Sequence, residues 1–186
     1  MKTQILDCTI RDGGYINNWN FSKLQVKELY KTLAESNIDY MEIGFRDNLK
    51  TYNNKIVSKW KKSTDKIINE TISDIYTVKT KIAIMINYGT SDLKDFSKKE
   101  DSLVSMVRVA FHKKDYKDAI KYISDIKDLG YIVCANAMGT CLYTDEEIKE
   151  LSGLISENKI DYIYIADSYG SLTTYELEEI TTKLRN

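Results

Sequence analysis

Short apolar segments alternate with amphipathic segments along the chain. Residues 82–86 (IAIMI) and 162–166 (YIYIA) are apolar at successive positions, a pattern typical of parallel β-strands that are covered on both faces. The sequence therefore predicts a parallel sheet of six strands. These predicted strands cover residues 4–9, 40–45, 82–87, 104–111, 131–137 and 162–166.

The segments between the predicted strands carry helix signals. In a capping box, a Ser or Thr caps the helix and a Glu or Gln three residues later bonds back to it. Three such pairs precede apolar residues with helical spacing. Asp115 is expected to cap a further helix that Gly130 ends, and residues 68–76 predict another helical face. The capping pairs are Ser22 with Gln25, Thr144 with Glu147, and Thr173 with Glu176.

Strands and helices that alternate without a linker or a change of composition predict one α/β domain over residues 1–186. Two parallel architectures fit this pattern, a doubly wound open sheet and a TIM barrel. A nucleotide-binding doubly wound sheet would place Gly-x-Gly-x-x-Gly after its first strand, whereas residues 11–15 read RDGGY. Periodicity alone leaves the choice between the two architectures open.

Composition and charge restrict the expected partners. The 27 basic and 28 acidic residues nearly cancel, so no overall field favours nucleic acid or a membrane surface. Three cysteines without a Cys-x-x-Cys pair argue against a disulfide framework and against a structural zinc site. No apolar run approaches the ~18 residues of a membrane span, and the N-terminus lacks a signal-peptide pattern. We therefore expect a cytoplasmic protein that binds neither nucleic acid nor membranes.

Polar side chains gather where the predicted strands end. In parallel α/β folds, the carboxyl ends of the strands carry the chemistry. The first predicted strand leads into Arg11 and Asp12, the second contains Glu42, and the fourth ends at His112, the only histidine of the chain. The fifth and sixth strands end near Asn136, Asp167 and Ser168.

These residues also have purely structural interpretations. Arg11 and Asp12 could form a local ion pair, and Glu42 could pair with Arg46 or Arg108. The other strand-end residues could satisfy loops and turns. As a set, however, they are rich in hard oxygen ligands, which suit Mg²⁺ or Mn²⁺. A guanidinium beside a divalent metal suits an enolate intermediate, because both stabilise negative charge on oxygen.

Four motifs resemble one family in the correct order. Residues 6–15 (LDCTIRDGGY), 41–45 (MEIGF), 107–112 (VRVAFH) and 165–170 (IADSYG) are similar to strands one, two, four and six of the TIM-barrel metallolyases. This superfamily includes 3-hydroxy-3-methylglutaryl-CoA lyase, isopropylmalate synthase and 4-hydroxy-2-oxovalerate aldolase. The first motif is most similar to the aldolase subgroup. The resemblance favours the TIM barrel over the open sheet.

The resemblance implies roles for individual residues. Asp12 would be a ligand of a divalent metal, and Arg11 would stabilise the enolate oxygen formed when a carbon–carbon bond breaks. Glu42 would orient Arg11 or the substrate. The expected substrate-binding residues are Asn136, Asp167 and Ser168.

The sequence departs from the family pattern at two points. A catalytic histidine of the oxovalerate aldolases is replaced here by Tyr15, and a tyrosine acts as acid or base only if its pKa falls from ~10 or if water relays the proton. Tyr15 and His112 are therefore the candidates for proton transfer. The family's metal-binding His-x-His pair has no counterpart in a chain with one histidine. Binding of Mn²⁺ or Mg²⁺ by this chain is thus expected to be weak or absent.

The predicted fold class is a TIM-barrel α/β fold with about six of the eight β/α units. The leading hypothesis for function is a divalent-metal-dependent aldolase that forms or cleaves a 4-hydroxy-2-oxo acid through a pyruvate-type enolate. Its partners would be a 2-oxo acid and an aldehyde, and unpaired edge strands are compatible with a homo-oligomer. The alternatives are a non-catalytic binding scaffold and an acyl-CoA-dependent synthase. Whether these residues alone catalyse a reaction is left open.

Overall fold

The computed structural model describes residues 3–48 and 58–185. Within these ranges, six strands alternate with helices. The strands are β1 (Leu6–Asp7), β2 (Tyr40–Phe45), β3 (Lys81–Asn87), β4 (Val104–Phe111), β5 (Ile132–Met138) and β6 (Tyr162–Ala166). The helices are α1 (Thr9–Asn17), α2 (Lys23–Glu35), α3 (Lys59–Lys62), α4 (Asp65–Ile72), α5 (Tyr116–Asp128), α6 (Asp145–Glu157) and α7 (Thr174–Arg185).

The strands are parallel and follow one another through the sheet in chain order. The sheet curls into a half-barrel whose outermost strands are β1 and β6. On its concave side, the hydroxyl of Tyr162 in β6 donates a hydrogen bond to Gln4 Oε1, beside β1, at 2.8 Å. A curled parallel sheet in chain order is the topology of a TIM barrel. The predicted fold class is therefore confirmed.

The main core lies between the convex face of the sheet and the helices. Ile84 and Val107 of the central strands are fully buried there, together with Ile120 and Ile123 of α5. Burial of each such side chain contributes roughly 1.5–3 kcal/mol. Since successive residues of a strand point to opposite faces, the intervening positions face the concave side. Arg108, next to Val107, is one of these concave residues.

An irregularity in β2 turns an aromatic ring toward the concave side. The pairing register of β2 with β3 shifts between Glu42 and Phe45. At Gly44, within the shift, a Cβ would lie 2.1 Å from the Trp60 carbonyl oxygen and 2.5 Å from Ser63 Oγ. Only glycine lets the end of α3 approach this closely. The shift places both Glu42 and Phe45 on the concave face, as expected of a β-bulge that redirects a side chain.

The structure corrects the interpretation of residues 4–15. The first strand was predicted over residues 4–9, but β1 contains only Leu6–Asp7, and α1 begins at Thr9. Arg11 and Asp12 thus lie on the first helix and not at the end of a strand. Two adjacent glycines usually indicate a turn. Here α1 continues through Gly13 and Gly14 and ends at Asn17.

A tertiary contact explains the second glycine. The indole of Trp19 folds back over α1, and its Nε1 donates a hydrogen bond to the Arg11 carbonyl at 2.7 Å. A Cβ on Gly14 would lie 2.1 Å from Trp19 Nε1, whereas a Cβ on Gly13 would meet Phe21 Cζ only at 3.9 Å. Gly14 therefore makes room for the indole that fixes the backbone at Arg11.

This contact predicts opposite effects at the two glycines. Gly14→Ala should lower the free energy of unfolding by about 1–3 kcal/mol, because the added methyl displaces the indole. Gly13→Ala should be neutral or stabilise by up to about 1 kcal/mol, because alanine is the better helix former. Urea unfolding followed by circular dichroism measures both. Equal shifts for the two variants would contradict the role assigned to Trp19.

The predicted helix caps are confirmed with one exception. The reciprocal hydrogen bonds of the capping boxes are present at Ser22 and Thr144, and at Thr173. Gly130 follows α5 with a φ of +95°, a conformation that favours glycine. Asp115 does precede α5, but the prediction that its side chain caps the helix is wrong, since that side chain makes no cap hydrogen bond.

Two further expectations need correction. The helical face predicted over residues 68–76 is shorter, because α4 ends at Ile72. The sixth strand was expected to be covered on both faces, yet Tyr162 and Tyr164 are 41% and 51% exposed. Both tyrosines lie on the outermost strand and border the open concave side. Among the described helices, none has the length and apolar character needed to cross a bilayer.

Candidate active site

A cavity of about 560 Å³ occupies the concave side of the half-barrel. Side chains from all six strands and from α1 line it. Its volume suits a small organic molecule, and a mostly apolar lining with few convergent polar groups is typical of ligand sites. Its polar side chains include those of Arg11, Asn87, Arg108, Asn136 and Ser168.

A buried carboxylate joins two arginines beside this cavity. Glu42 Oε2 accepts a hydrogen bond from Arg11 Nε at 2.6 Å, and Glu42 Oε1 accepts one from Arg108 Nη1 at 2.7 Å. The Glu42 side chain is fully buried, whereas Arg11 is 15% exposed. Of the two partners proposed for Glu42 from the sequence, Arg108 is therefore found and Arg46 is not. Arg46 binds Asp65 at 2.8 Å instead.

In the Arg11–Glu42–Arg108 cluster, two guanidiniums share one buried carboxylate, and the exposed Asp12 carboxylate on Arg11 balances the second positive charge. Burial alone would lower the pKa of Arg108, but the adjacent Glu42 carboxylate, together with Cys134 and Cys8, opposes burial, and the pKa is raised overall. The pKa of Arg11 is raised by the same carboxylate against the same effect of burial. Both guanidiniums thus stay charged, and both line the cavity. Low polarity around the cluster strengthens its attraction for an anion.

Arg11 also holds Asp12. Arg11 Nη1 donates to Asp12 Oδ1 at 2.7 Å, so the local ion pair considered from the sequence is present. The Asp12 side chain is 68% exposed. Asp12 is therefore accessible to a cation or a ligand from solvent, and it lies one residue from the guanidinium that borders the cavity.

Aromatic rings form the wall beside Arg11. The rings of Tyr15 and Trp19 meet edge to face at 4.7 Å, and Trp19 meets Phe45 at 5.6 Å. The Lys61 ammonium lies 3.8 Å from the Phe45 ring centroid and 4.1 Å from that of Trp19. Burial lowers the pKa of Lys61, and its ion pair with Asp47 opposes the change. Such cation–π contacts fix the rings that surround Arg11.

Tyr15 lines the cavity one helical turn after Arg11. Burial raises the pKa of Tyr15, and the nearby Arg11 opposes the shift without reversing it. Of the two conditions stated from the sequence, a lowered tyrosine pKa is therefore not met, and a proton relay through water stays a prediction. A phenol that stays protonated at neutral pH can donate a hydrogen bond. Its catalytic role remains a prediction.

The predicted substrate-binding residues occupy different positions. Asn136 is buried against the cavity, and within the described residues its Oδ1 has no hydrogen-bond partner. An unpartnered buried amide oxygen is rare and suits a ligand that donates a hydrogen bond. Ser168 also lines the cavity, and its Oγ accepts the Gly139 N–H at 2.9 Å. Asp167 instead accepts the backbone N–H groups of Ser171 and Leu172 at 3.0 and 3.1 Å.

His112 lines an adjoining depression and not the main cavity. Met138 and Ser168 border both spaces. Of the two proton-transfer candidates, Tyr15 is thus the one beside Arg11. Proton transfer by His112 stays a prediction.

The described residues do not fit a divalent cation by themselves. Mg²⁺ and Mn²⁺ favour several oxygen ligands arranged around the ion. Across residues 3–48 and 58–185, no group of three His, Cys, Asp or Glu side chains could hold a metal. Asp12 is the one predicted ligand, and the Arg11 guanidinium already binds its Oδ1. The metal requirement therefore remains a prediction.

Arg108 is the site residue whose role sequence reasoning missed. It was considered only as an ion-pair partner of Glu42, yet it borders the cavity next to Cys8 and Cys134. The available signal was a charged residue at an interior position of an otherwise apolar strand, since arginine is almost never fully buried without a partner. Burial raises the pKa of the Cys8 and Cys134 thiols to about 11, so neither is a thiolate at neutral pH.

The chain has a TIM-barrel type of fold and is similar in sequence to proteins named 4-hydroxy-2-oxovalerate aldolase. Homologues named 4-hydroxy-2-oxovalerate aldolase cover about 95% of the chain, which confirms the resemblance inferred from the motifs. The homologue from Bacillus cereus (strain ATCC 10987 / NRS 248) is 24% identical over 98% of this chain and 52% of its own length. The homologue from Geobacillus thermodenitrificans (strain NG80-2) is 26% identical over 94% of this chain and 50% of its own length. The chain thus spans about half the length of these curated relatives. No protein-family model matches it.

Solved structures support the same fold. The N-terminal domain of a proposed aldolase from Bacteroides vulgatus superposes with a TM-score of 0.83 and 29% identity, over 98% of this chain and 60% of that one. The carboxyl transferase domain of Rhizobium etli pyruvate carboxylase gives a TM-score of 0.67 at 12% identity, over 99% of this chain and 33% of that one. The second similarity concerns the fold alone.

Proposed function

We propose that this chain contributes to an aldolase that forms or cleaves a carbon–carbon bond through a pyruvate-type enolate. The observation that carries the proposal is the Arg11–Glu42–Arg108 cluster beside the concave cavity. Its two charged guanidiniums both line this cavity. The homologues named 4-hydroxy-2-oxovalerate aldolase suggest the substrate class, a 4-hydroxy-2-oxo acid.

The cluster supplies what the proposed cleavage needs. A base takes the proton of the 4-hydroxyl, the C3–C4 bond breaks, and its electron pair moves to the 2-oxo oxygen. The products are an aldehyde and an enolate, which becomes pyruvate when C3 takes up a proton. Arg11 donates hydrogen bonds to the enolate oxygen, and preorganised donors of this kind stabilise such charge strongly. Glu42 is a positioning residue, because it holds both guanidiniums.

The other cavity residues orient the substrate. Arg108 would bind the carboxylate, since a guanidinium matches a carboxylate with paired hydrogen bonds. Asn136 and Ser168 line the same space. Tyr15 would donate a hydrogen bond to the substrate or to a relaying water, because its raised pKa keeps the phenol protonated. The base is assigned to a water beside Tyr15 or to His112, the two routes considered from the sequence.

Exchange of the methyl protons of pyruvate tests the proposal. The full-length gene product is incubated with pyruvate in deuterium oxide, with and without Mn²⁺, and the methyl signal is followed by NMR. We expect exchange that is faster with Mn²⁺ and is lost in Asp12→Asn. Exchange that persists undiminished in both Asp12→Asn and Arg11→Ala would exclude the assignment. If chelator-treated protein exchanges the methyl protons equally fast with and without added Mn²⁺, the proposed metal requirement is wrong but the enolate role of Arg11 is not affected.

A non-catalytic binding scaffold is the second candidate function. It is favoured by the exposed Asp12, whose carboxylate is already paired, and by the lack of a three-residue ligand group in the described part of the chain. Isothermal titration of residues 1–186 with Mn²⁺ separates the two candidates. Tight one-to-one binding would contradict the scaffold.

The same proposal implies the partners of the protein and its location in the cell. The partners would be a 2-oxo acid and an aldehyde, and the open edges of β1 and β6 are compatible with self-association. Cys8, Cys134 and Cys141 are free thiols, as expected of a protein in the reducing cytoplasm.

A further inference from the structure

A second depression of about 510 Å³ lies where β4, β5 and β6 end. The segment that follows β4 contributes His112, Lys113 and Lys114 to its wall, and the segments after β5 and β6 contribute apolar and aromatic surface from Leu142 and Tyr169. Three consecutive residues that carry or can carry positive charge thus face one concave space. None of these residues takes part in the Arg11–Glu42–Arg108 cluster.

The positive charge of this depression is only partly neutralised. Lys113 Nζ binds Glu147 Oε2 at 2.7 Å and the Leu142 carbonyl at 2.7 Å, so its ammonium is held in place. Lys114 is exposed, and in the described part of the chain it forms no ion pair. Asp115 follows it in the chain but is not among the lining residues. The depression therefore presents one fixed and one free ammonium.

The depression adjoins the candidate active site. Met138 and Ser168 line both spaces, so they form the boundary between them. A substrate whose 2-oxo acid end lies at Arg11 and Arg108 could extend past Ser168 toward the lysines. In a 4-hydroxy-2-oxo acid, the part that extends away from the 2-oxo acid is the part released as the aldehyde.

We propose that the depression around Lys113 and Lys114 binds the anionic group of an aldehyde that carries a phosphate or a carboxylate. The proposal rests on the proposed function, and it specifies the aldehyde class that the same site would take. Lysine ammoniums bind phosphate and carboxylate oxygens through charge-assisted hydrogen bonds. The Tyr169 and Leu142 side chains would contact the carbon chain that connects the anion to the carbonyl.

Binding of unreactive analogues tests this site without requiring catalysis. Glycerol 3-phosphate, glycerate and glycerol are titrated into the full chain by NMR or calorimetry. We expect the two anions to bind and glycerol to bind at least about tenfold more weakly, since hydrogen bonds to charged groups are the strong ones. A preference for glycerol 3-phosphate identifies a phosphate-bearing aldehyde, and a preference for glycerate identifies a carboxylate-bearing one. Equal binding of glycerol and both anions would overturn the proposal.

Matched lysine variants locate the binding. Lys114→Ala should weaken anion binding about tenfold, and Lys114→Glu should abolish it. Lys121→Ala is the control, because Lys121 is also exposed, lies on α5, and does not line either space. Equal effects of Lys114→Ala and Lys121→Ala would place the anion elsewhere and reject the site. Because the readout is binding, a failure of the pyruvate exchange assay leaves this result interpretable.

Discussion

Glu42→Ala is expected to lower the free energy of unfolding by about 3–5 kcal/mol, the usual effect of removing one partner of a buried ion pair. Glu42 is fully buried and accepts a hydrogen bond from both Arg11 and Arg108. Its removal leaves the Arg108 guanidinium, which is 6% exposed, without its carboxylate. For a chain of this size, the loss corresponds to a fall in melting temperature of roughly 6–20 °C.

Thermal unfolding of the single and double variants isolates the cause. Glu42→Gln keeps the shape of the side chain but not its charge, so its stability should fall between those of the native chain and Glu42→Ala. The double variant Glu42→Met with Arg108→Met removes the buried charges together and should recover part of the stability, because apolar replacement of a whole buried pair is often neutral. The melting temperature of Glu42→Ala could instead lie within about 2 °C of the native value, which corresponds to a loss of less than ~1 kcal/mol in the free energy of unfolding. That result would show that the cluster is not buried as described.

Arg11→Ala is expected to reduce the rate of pyruvate methyl-proton exchange by about 10²–10³-fold, the effect of removing one preorganised donor to a developing oxyanion. Arg11 alone combines contact with the cavity, the bond to Glu42 and the bond to Asp12. Its loss leaves the Glu42–Arg108 pair intact. The rate of exchange should therefore fall far more than the stability does.

The comparison of rate with stability makes this prediction specific. Arg11→Lys keeps the charge but loses the paired donors of a guanidinium, so part of the exchange rate should remain. Melting temperatures of both variants should stay well above that of Glu42→Ala. If Arg11→Ala loses exchange only in proportion to the unfolded fraction, Arg11 is structural and the proposed enolate role is wrong.

Local sequence signals predicted much of the fold correctly. The bounds of β2, β4 and β6 agree with the predicted ones, and the reciprocal capping bonds form at Ser22 and Thr144. These features depend on neighbours within a few residues, such as the apolar character of successive strand positions or a hydroxyl that meets the backbone N–H three residues later. Chain order alone then placed the strand ends at one edge of the sheet.

Contacts between distant residues could not be predicted in the same way. Two adjacent glycines usually indicate a turn, but at Gly13 and Gly14 the helix continues, and the indole of Trp19 packs against Gly14. The partner of Glu42 was undecided between Arg46 and Arg108, because strand alternation does not reveal which of two arginines faces a given carboxylate. A glycine inside a strand is a local signal of a bulge, but the sequence does not reveal that the Trp60 backbone is what approaches Gly44.

The sequence by itself determined that this is a parallel α/β chain with aldolase-like motifs, and it identified Arg11, Asp12 and Glu42 as candidates. Only the tertiary structure decided what these residues contact. It moved Arg11 and Asp12 from a strand end to a helix, added Arg108 to the cluster, and separated His112 from the main cavity. The reason is physical: periodicity and capping arise from short-range interactions, whereas a charge cluster arises from the curl of the sheet, which brings distant strands to one concave side.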